Sequence, residues 1–145
     1  MDAKDGQILV QLLNDSRQST ALIARKTGIP RVTVHDRLAK LVQRGVVKKF
    51  TVSLDYAKLD LPVTVFVLVS YDPSAKSDQH ELARRIAAVP GVYAVHIISG
   101  EWDWLLKIRA RTIEAVGALV VDKIRAIPGV HKTYTLSCFE TVKEE

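Results

Sequence analysis

Two stretches of this chain have nearly the same sequence, and this repeat constrains the fold more than any other feature. RRIAAVPGVYAV occupies residues 84–95 and DKIRAIPGVHKT occupies residues 122–133, 38 residues further on. Proline ends a helix, glycine allows a tight turn, and the β-branched valine after them favours a strand. The chain therefore contains one helix-to-strand corner twice, which predicts a pseudo-symmetric fold.

The segments around the two corners complete a pair of βαβ units. Alternating apolar residues predict strands, helical spacing predicts the two helices between them, and Thr112 is expected to cap the second helix. The strands cover 63–71, 92–99, 104–110 and 131–142, and the first helix covers 77–89. This order predicts an α+β fold, a ferredoxin-like βαββαβ sandwich of four antiparallel strands with both helices on one face.

The first strand of this sandwich is apolar on both sides. Val65, Val67 and Val69 point one way, while Phe66 and Leu68 point the other way. A strand that is apolar on both faces is usually buried on both faces, and the two helices cover only one of them. We therefore expect a second copy of the chain on the other face, which makes a homodimer. The alternative is an irregular apolar surface.

The basic excess of the chain lies entirely in its first third. The net charge is +5, and residues 1–54 contain ten Lys and Arg against four Asp and Glu, which gives +6. Residues 55–145 contain eleven against twelve, which gives −1. Such a division predicts a polyanion-binding unit attached to a nearly neutral one. The charge alone is equally compatible with a basic surface that faces solvent and binds no polyanion.

Helical spacing of apolar residues begins in this basic third. Residues 5–14 predict a first helix with Leu13 on its buried stripe. Ser19 or Thr20 is expected to cap a second helix, which ends at Gly28 because that turn requires a positive φ angle. A short helix, a tight turn and a further helix predict a helix-turn-helix motif.

The third helix is expected to recognise DNA. It begins at Pro30, ends at Gly45 and buries Val34, Leu38 and Leu41. Its first outward residues are positioned for base edges in the major groove, and basic residues beside them for phosphates. The alternative is a three-helix bundle used only for packing. The predicted contacts to double-stranded DNA are Arg25, Lys26, Arg31, Val32, Thr33, His35, Asp36, Arg37, Lys40 and Arg44.

A series of short motifs in a fixed order extends over essentially the whole chain. They are D-x-x-I-L at 5–9, I-A-x-x-x-G-I at 23–29, R-L-x-x-L at 37–41, G-V-V at 45–47, two P-G-V motifs, G-x-x-D at 100–103 and T-x-T at 133–135. In this order the chain resembles the Lrp/AsnC family, the feast/famine transcriptional regulators. The resemblance implies a DNA-binding regulator with a RAM-type sensor domain, related to ACT folds. It also implies dimers that assemble into tetramers or octamers, with an amino acid as effector.

The motifs divide the chain into three parts. A helix-turn-helix DNA-binding domain covers 1–45, and a linker strand or hairpin covers 46–61. By the resemblance, residues 62–145 form the ligand-sensing and oligomerisation domain. The linker has Val47-Lys48-Lys49-Phe50 where the family more often has a glycine before a tyrosine, which affects the expected hairpin geometry.

The resemblance also places the effector. Gly100 would let the backbone approach the ligand, Asp103 would face its ammonium group or order the loop, and the threonines would offer hydroxyl groups. Asp103 is otherwise a turn-capping residue, and the threonines otherwise a β-branched strand pattern. Trp102 and Trp104, on either side of Asp103, are bulkier than usual for the family, which implies a narrower pocket, an unusual effector or no effector. The effector-binding residues implied in this way are Gly100, Glu101, Trp102, Asp103, Thr133 and Thr135.

Other classes of protein fit the sequence less well. The sirohaem decarboxylases resemble the same two-part layout, but no clustered Arg and His for a tetrapyrrole is visible. Cys138 is the only cysteine, and the four histidines are scattered. We therefore expect no catalytic residue, no metal site and no cofactor other than an effector. RNA binding by the sheet would need exposed stacking aromatics. An effector-free architectural DNA-binding protein remains an alternative.

The location of the protein is expected to be cytoplasmic. The sequence has no apolar run long enough to span a membrane and no apolar region after a basic start. One cysteine cannot form a disulfide within the chain. We therefore expect no membrane partner.

Overall fold

The structure, a computed structural model, describes residues 1–144 and consists of two compact units. The first unit is Met1–Leu54, and the second begins at Asp55. Each unit has its own cluster of buried apolar side chains.

The first unit contains three helices, α1 (Ala3–Asn14), α2 (Thr20–Thr27) and α3 (Arg31–Gln43). Ser19 caps α2, because its hydroxyl oxygen accepts a hydrogen bond from the Leu22 N–H at 3.2 Å. Gly28 ends α2 with φ at +71°, a backbone conformation in which glycine meets no steric penalty. The predicted helix-turn-helix is confirmed.

The core of the first unit is a small aliphatic cluster. Ile8, Ile23 and Val34 have no exposed surface, and Ile29 and Leu41 are almost fully buried. Leu13 was expected in this cluster, but it is 84% exposed. At about 100° per residue, Leu13 lies about 140° around the helix from Ile8, so it points away from α2 and α3. Leu38 was also expected to be buried, and it is only partly covered.

The segment between the units does not form the strand or hairpin predicted over 46–61. Among these described residues the only regular element is a single 3₁₀ turn, Ala57–Leu59. Val46 and Val47 donate their backbone N–H groups to the Leu41 carbonyl, which closes α3. An alternating apolar sequence becomes a strand only beside another strand, and no described part of the same chain pairs with it.

The second unit contains a four-stranded antiparallel sheet with two helices. The spatial order is β2-β3-β1-β4, so β1 and β3 are the central strands. The ferredoxin-like βαββαβ fold is thereby confirmed, although the second helix becomes a π-helix at Leu119–Ile124. The elements are β1 (Val63–Tyr71), α4 (Gln79–Ala87), β2 (Val92–Ile97), β3 (Trp104–Ala110), α5 (Ile113–Ala118) and β4 (Val130–Ser137).

The helices cover one face of this sheet. Val65, Val67 and Val69 of β1 are fully buried there, opposite Ile108, Leu106 and Trp104 of β3. The helices contribute buried aliphatic side chains to the same core, which are Leu82, Ile86, Val116, Val120 and Ile124. The remaining residues of the strands project from the other side, which we term the open face.

The two Pro-Gly corners pack across the pseudo-symmetric unit. Gly91 and Gly129 have φ angles of +96° and +102°. A Cβ atom on Gly91 would lie 2.6 Å from Leu119 Cδ1, and a Cβ atom on Gly129 would lie 2.9 Å from Leu82 Cδ2. Each corner therefore touches the helical segment of the other βαβ unit, and glycine permits both the conformation and the close approach.

Candidate functional site

The N-terminal half of α3 presents side chains of three different chemistries to solvent. Val34 and Leu41 face the core, which leaves Arg31, Val32 and His35 exposed. Val32 is 72% exposed, so its isopropyl group is available for a contact outside the unit. A guanidinium, an isopropyl group and an imidazole on one helical turn suit the mixed polar and methyl edges of base pairs.

Four exposed cations flank this helix. Arg25 and Lys26 are in the last turn of α2, and Lys40 and Arg44 are at the end of α3. Lys26 Nζ donates a hydrogen bond to Gln18 Oε1 at 2.7 Å. Exposed basic side chains beside the exposed face of α3 are chemically suited to neutralising phosphates.

Arg37 is placed differently from the other predicted DNA contacts. Its Nη1 donates to both carboxylate oxygens of Asp2, at 2.8 and 2.7 Å, and to Asp5 Oδ1 at 2.8 Å. Its side chain is 27% exposed, and that of Asp5 only 11%. The guanidinium therefore joins the middle of α3 to the first turn of α1.

This cluster shifts the pKa values of both acids in the same direction. The hydrogen bond from Arg37 is the main cause that lowers the pKa of Asp5, followed by the backbone N–H of Asp2. For Asp2 the main cause is the backbone N–H of Asp5, and Arg37 comes second in lowering the pKa. The two aspartates form a reciprocal capping box on α1, and Arg37 stabilises their ionised forms.

The remaining two predicted contacts lie between these groups. Asp36 is exposed and its Oδ1 is 3.3 Å from Nδ1 of His35, an exposed pair with little energetic weight. Thr33 is half-buried on the side of α3 that carries Arg37. The ten predicted residues thus divide into exposed side chains in the first half of α3, four flanking cations, and the partly covered Thr33 and Arg37.

The loop predicted to bind the effector is ordered by Asp103. Its Oδ2 accepts a hydrogen bond from the Tyr71 N–H at 2.7 Å, and its own N–H donates to the Val69 carbonyl at 3.0 Å. Gln79 Nε2 is 3.5 Å from the other oxygen, Oδ1. Gly100 has φ at +120° at the exposed end of this loop. Asp103 therefore fixes the loop against the end of β1.

The other predicted effector residues lie on opposite faces of the sheet. Thr133 and Thr135 of β4 pair with Val69 and Val67, so they lie on the helix-covered face. Trp102 contacts Tyr134 instead, with 6.2 Å between ring centroids. Tyr134 pairs with Leu68 on the open face, and Glu101 is exposed. The structure brings Trp102 and Tyr134 together and separates them from the threonines.

Tyr134 was not among the predicted residues, although a signal for it was present. The T-x-T motif places its middle residue on the face opposite to both threonines, because side chains alternate along a strand. Tyr134 is 56% exposed and lies near Phe66 and Leu68 on the open face.

Several other features were expected to carry no chemistry. Among residues 1–144 no group of three or more His, Cys, Asp or Glu side chains is arranged to hold a metal ion. No helix in that range is both long and apolar enough to cross a membrane. Cys138 was placed within the last strand, but β4 ends at Ser137. The Cys138 Sγ lies 3.5 Å from the Glu140 carbonyl oxygen and 3.6 Å from Thr141 Oγ1.

Comparisons with known proteins match both units. Residues 1–48 match the family model described as winged helix-turn-helix DNA-binding, and residues 64–145 match the Lrp/AsnC ligand binding domain. An uncharacterised HTH-type transcriptional regulator of Pyrococcus horikoshii is 48% identical over 145 residues, which covers 100% of this chain and 97% of the relative.

Solved structures agree with these sequence matches. Bacillus subtilis LrpC superposes with a TM-score of 0.87 at 27% identity, covering 100% of this chain and 99% of that one. A Neisseria meningitidis transcriptional regulator in complex with L-Met superposes with a TM-score of 0.93 at 22% identity, covering 99% and 93%. The second likeness shows the fold only.

Proposed function

Because the chain belongs to the Lrp/AsnC family of DNA-binding transcriptional regulators, we propose that it reads its operator with the N-terminal half of α3. Arg31 donates to the acceptor edge of a guanine, and Val32 contacts a thymine methyl group. Thr33 and His35 contact neighbouring base edges, with Asp36 beside them. The observation that carries this assignment is the exposure of Arg31, Val32 and His35 on one side of a helix whose other side is buried.

Phosphate contacts come from the flanking cations and exclude Arg37. Arg25, Lys26, Lys40 and Arg44 are exposed, whereas the guanidinium of Arg37 already binds two carboxylates. We assign Arg37 the role of holding α3 in its orientation for DNA.

The experiment is to measure operator affinity as a function of salt for single alanine variants. Arg31→Ala is expected to relax preference at one base position. Lys40→Ala is expected to weaken binding to all DNA sequences alike. It should also reduce the dependence of log affinity on log salt concentration by about one phosphate contact. Lys76→Ala, which removes an exposed lysine of the second unit, is the matched control. An Arg31→Ala protein with unchanged affinity and preference would refute the assignment of α3.

The regulator acts as a homodimer joined through the open face of the sheet. Phe66, Leu68 and Leu105 cluster at the centre of that face, with Tyr134 56% and Leu136 40% exposed at its β4 edge. An apolar patch of this kind on a sheet is typical of a protein interface. Two-fold association would present two helix-turn-helix units to a symmetric operator, and larger assemblies, tetramers or octamers, would build on this dimer.

Sedimentation equilibrium tests the dimer directly. Leu68→Glu places a charge at the centre of the open face and is expected to give a folded monomer, because a buried unpaired charge is costly in an interface. Val121→Glu, which charges an exposed valine of the π-helical segment, is the control. A Leu68→Glu protein that is folded and still dimeric would show that the open face is not the interface.

An amino acid or a related small metabolite modulates this assembly at the loop 100–103. The structurally similar Neisseria protein is a complex with L-Met, which supports this class of ligand. Gly100, Glu101, Trp102 and Asp103 provide the loop. Because Thr133 and Thr135 lie on the other face from Trp102, we propose that the ligand sits at the end of the sheet where both faces are within reach, and that a second copy completes the site.

A thermal shift assay with each of the twenty amino acids at millimolar concentration tests this proposal. A ligand that binds only the folded protein raises its melting temperature. At one hundred times its Kd, such a ligand adds about 2.7 kcal/mol to the free energy of unfolding. Asp103→Asn removes the negative charge and keeps an oxygen that accepts from Tyr71, so it separates ammonium binding from loop order. Asp122→Asn, at an exposed helical site, is the control. No shift with any amino acid would refute this ligand class.

The regulator is non-catalytic and works in the cytoplasm. Its family and its relatives are named as regulators, which supports this proposal. DNA is the macromolecule that it binds, so the protein has to be in the compartment that holds the genome.

A further inference from the structure

Two basic residues of β3 are unexpectedly well covered on the open face. Lys107 and Arg109 alternate with the buried Leu106 and Ile108, so both project away from the helices. Their side chains are nevertheless only 12% and 11% exposed. Cations are seldom buried to this extent unless they are paired.

A single carboxylate bridges both cations. Glu144 forms an ion pair with Lys107 Nζ through Oε1, and its Oε2 accepts from Arg109 Nη2 at 2.9 Å. The Arg109 guanidinium also donates to Thr64 Oγ1 at 3.2 Å and lies 3.7 Å from the ring centroid of Tyr56. The guanidinium is thus held by a hydroxyl, an aromatic face and a carboxylate, which is a complete and oriented site.

The sheet itself supplies no negative charge to these cations. None of the four strands contains an Asp or a Glu. Burial lowers the pKa of Lys107, and the neighbouring charge of Arg109 lowers it further. An acid that pairs with these cations must therefore come from outside the four strands, and Glu144 in the C-terminal tail is such an acid.

The tail has few apolar contacts to hold it in place. Phe139 and Val142 are 101% and 91% exposed. Cys138 N–H donates to the Thr64 carbonyl at 3.1 Å, so the tail leaves β4 beside β1 and reaches β3 at Glu144. The bridge from Glu144 to two cations is accordingly a polar anchor of the end of the tail.

We propose that Lys107 and Arg109 form a carboxylate-binding site for Glu144 of the C-terminal tail, and that its occupancy allows a second copy to cover the open face. The coupling to assembly rests on the dimer proposed above. Covering the face removes the remaining water from two cations, and this is less unfavourable when a carboxylate offsets part of their charge. The carboxylate is the same chemical group whether the tail belongs to the same copy or to the second one.

Two measurements on the full chain test the site and the coupling separately. The ¹⁵N-guanidinium NMR signal of Arg109 reports whether a carboxylate is bound. Sedimentation equilibrium reports the dimer Kd. Glu144→Gln removes the charge, and Glu140→Gln makes the same change at an exposed position of the same tail. Lys107→Met in the Glu144→Gln background removes one of the two cations and keeps an unbranched side chain of similar length.

The expected result is a shifted Arg109 signal and a dimer Kd raised about ten- to a hundredfold in Glu144→Gln, with no change in Glu140→Gln. Adding Lys107→Met is expected to recover most of the lost dimer affinity. If Glu144→Gln acted only by loosening the packing, a second substitution would not recover it. If the Arg109 shift is also seen at concentrations where the protein is monomeric, the tail of the same copy fills the site. A shift confined to the dimer would assign the carboxylate to the second copy.

Other results would overturn the inference. An Arg109 signal that is the same in Glu144→Gln and wild type would show that no carboxylate site exists. A shifted signal with an unchanged dimer Kd would overturn the coupling to assembly. A wild-type protein that is monomeric at all concentrations would refute the dimer and the coupling, while the Arg109 signal would still decide the existence of the site.

Discussion

A methyl group added at Gly129 is expected to destabilise the second unit. Gly129 follows the second corner proline at φ +102°, and a Cβ atom there would lie 2.9 Å from Leu82 Cδ2. Leu82 is fully buried in the core under α4, so its side chain has little room to retreat. Gly129→Ala therefore adds backbone strain and a close contact at one position.

The size of the effect follows from three contributions. A left-handed backbone costs an L-residue about 1–2 kcal/mol. Moving Leu82 off its rotamer costs about 0.5–1.5 kcal/mol. Alanine also restricts the unfolded chain, which offsets about 0.4–1 kcal/mol of this loss. The net loss in free energy of unfolding is about 0.5–3 kcal/mol, a measurable part of the stability of a small domain.

Urea unfolding followed by tryptophan fluorescence isolates the second unit, because both tryptophans, Trp102 and Trp104, lie in it. Gly117→Ala is the matched control. Gly117 is within α5, where an added Cβ meets no atom within 4 Å, so alanine is expected to raise stability by about 0.5–1 kcal/mol. The same substitution should therefore lower the free energy of unfolding at Gly129 and raise it at Gly117. A Gly129→Ala protein at least as stable as wild type would refute the reasoning.

Three further outcomes are expected. The pKa of Asp5 lies below its ordinary value of 3.8, so its contribution to stability is complete above that pH and is lost as the pH falls through the lower, folded pKa. Amide hydrogen exchange of α1 from pH 6 to pH 3 should show this loss, and Arg37→Gln should flatten it. Asp103→Ala should cost the second unit about 1–3 kcal/mol in urea unfolding, because the Tyr71 N–H loses its acceptor, and an equal loss in Asp103→Asn would contradict this cause. Val32→Ser should weaken operator binding while leaving the melting temperature within about 2 °C, since the side chain has no packing role.

Local patterns in the sequence were sufficient to predict most of the fold. The limits of β1 and β3 agree with the prediction residue for residue, because alternation along a strand depends only on nearest neighbours. The helix-turn-helix was equally visible in its cap at Ser19 and its turn at Gly28. The π-helical continuation of α5 was not predicted, because its apolar spacing is also compatible with an ordinary α-helix.

The candidate sites were predicted less completely. Exposure at Arg31 and Lys40 follows from helical periodicity, which the sequence contains. The partner of Arg37 does not, since Asp2 and Asp5 are more than 30 residues away along the chain. The sequence predicted Arg37 as a DNA contact, and only the packing of α1 against α3 shows that its guanidinium binds two carboxylates.

What the sequence by itself determined, therefore, is the class of fold, the order of its elements and the two corners that relate its halves. These depend on backbone preferences and on the period of apolar residues, which act over a few positions. Only the tertiary structure decided that Asp103 binds the Tyr71 N–H, that Trp102 and Thr133 lie on opposite faces, and that Glu144 bridges two largely covered cations. Such contacts depend on strand register and on chain reversal, and no local period encodes which distant side chains will meet.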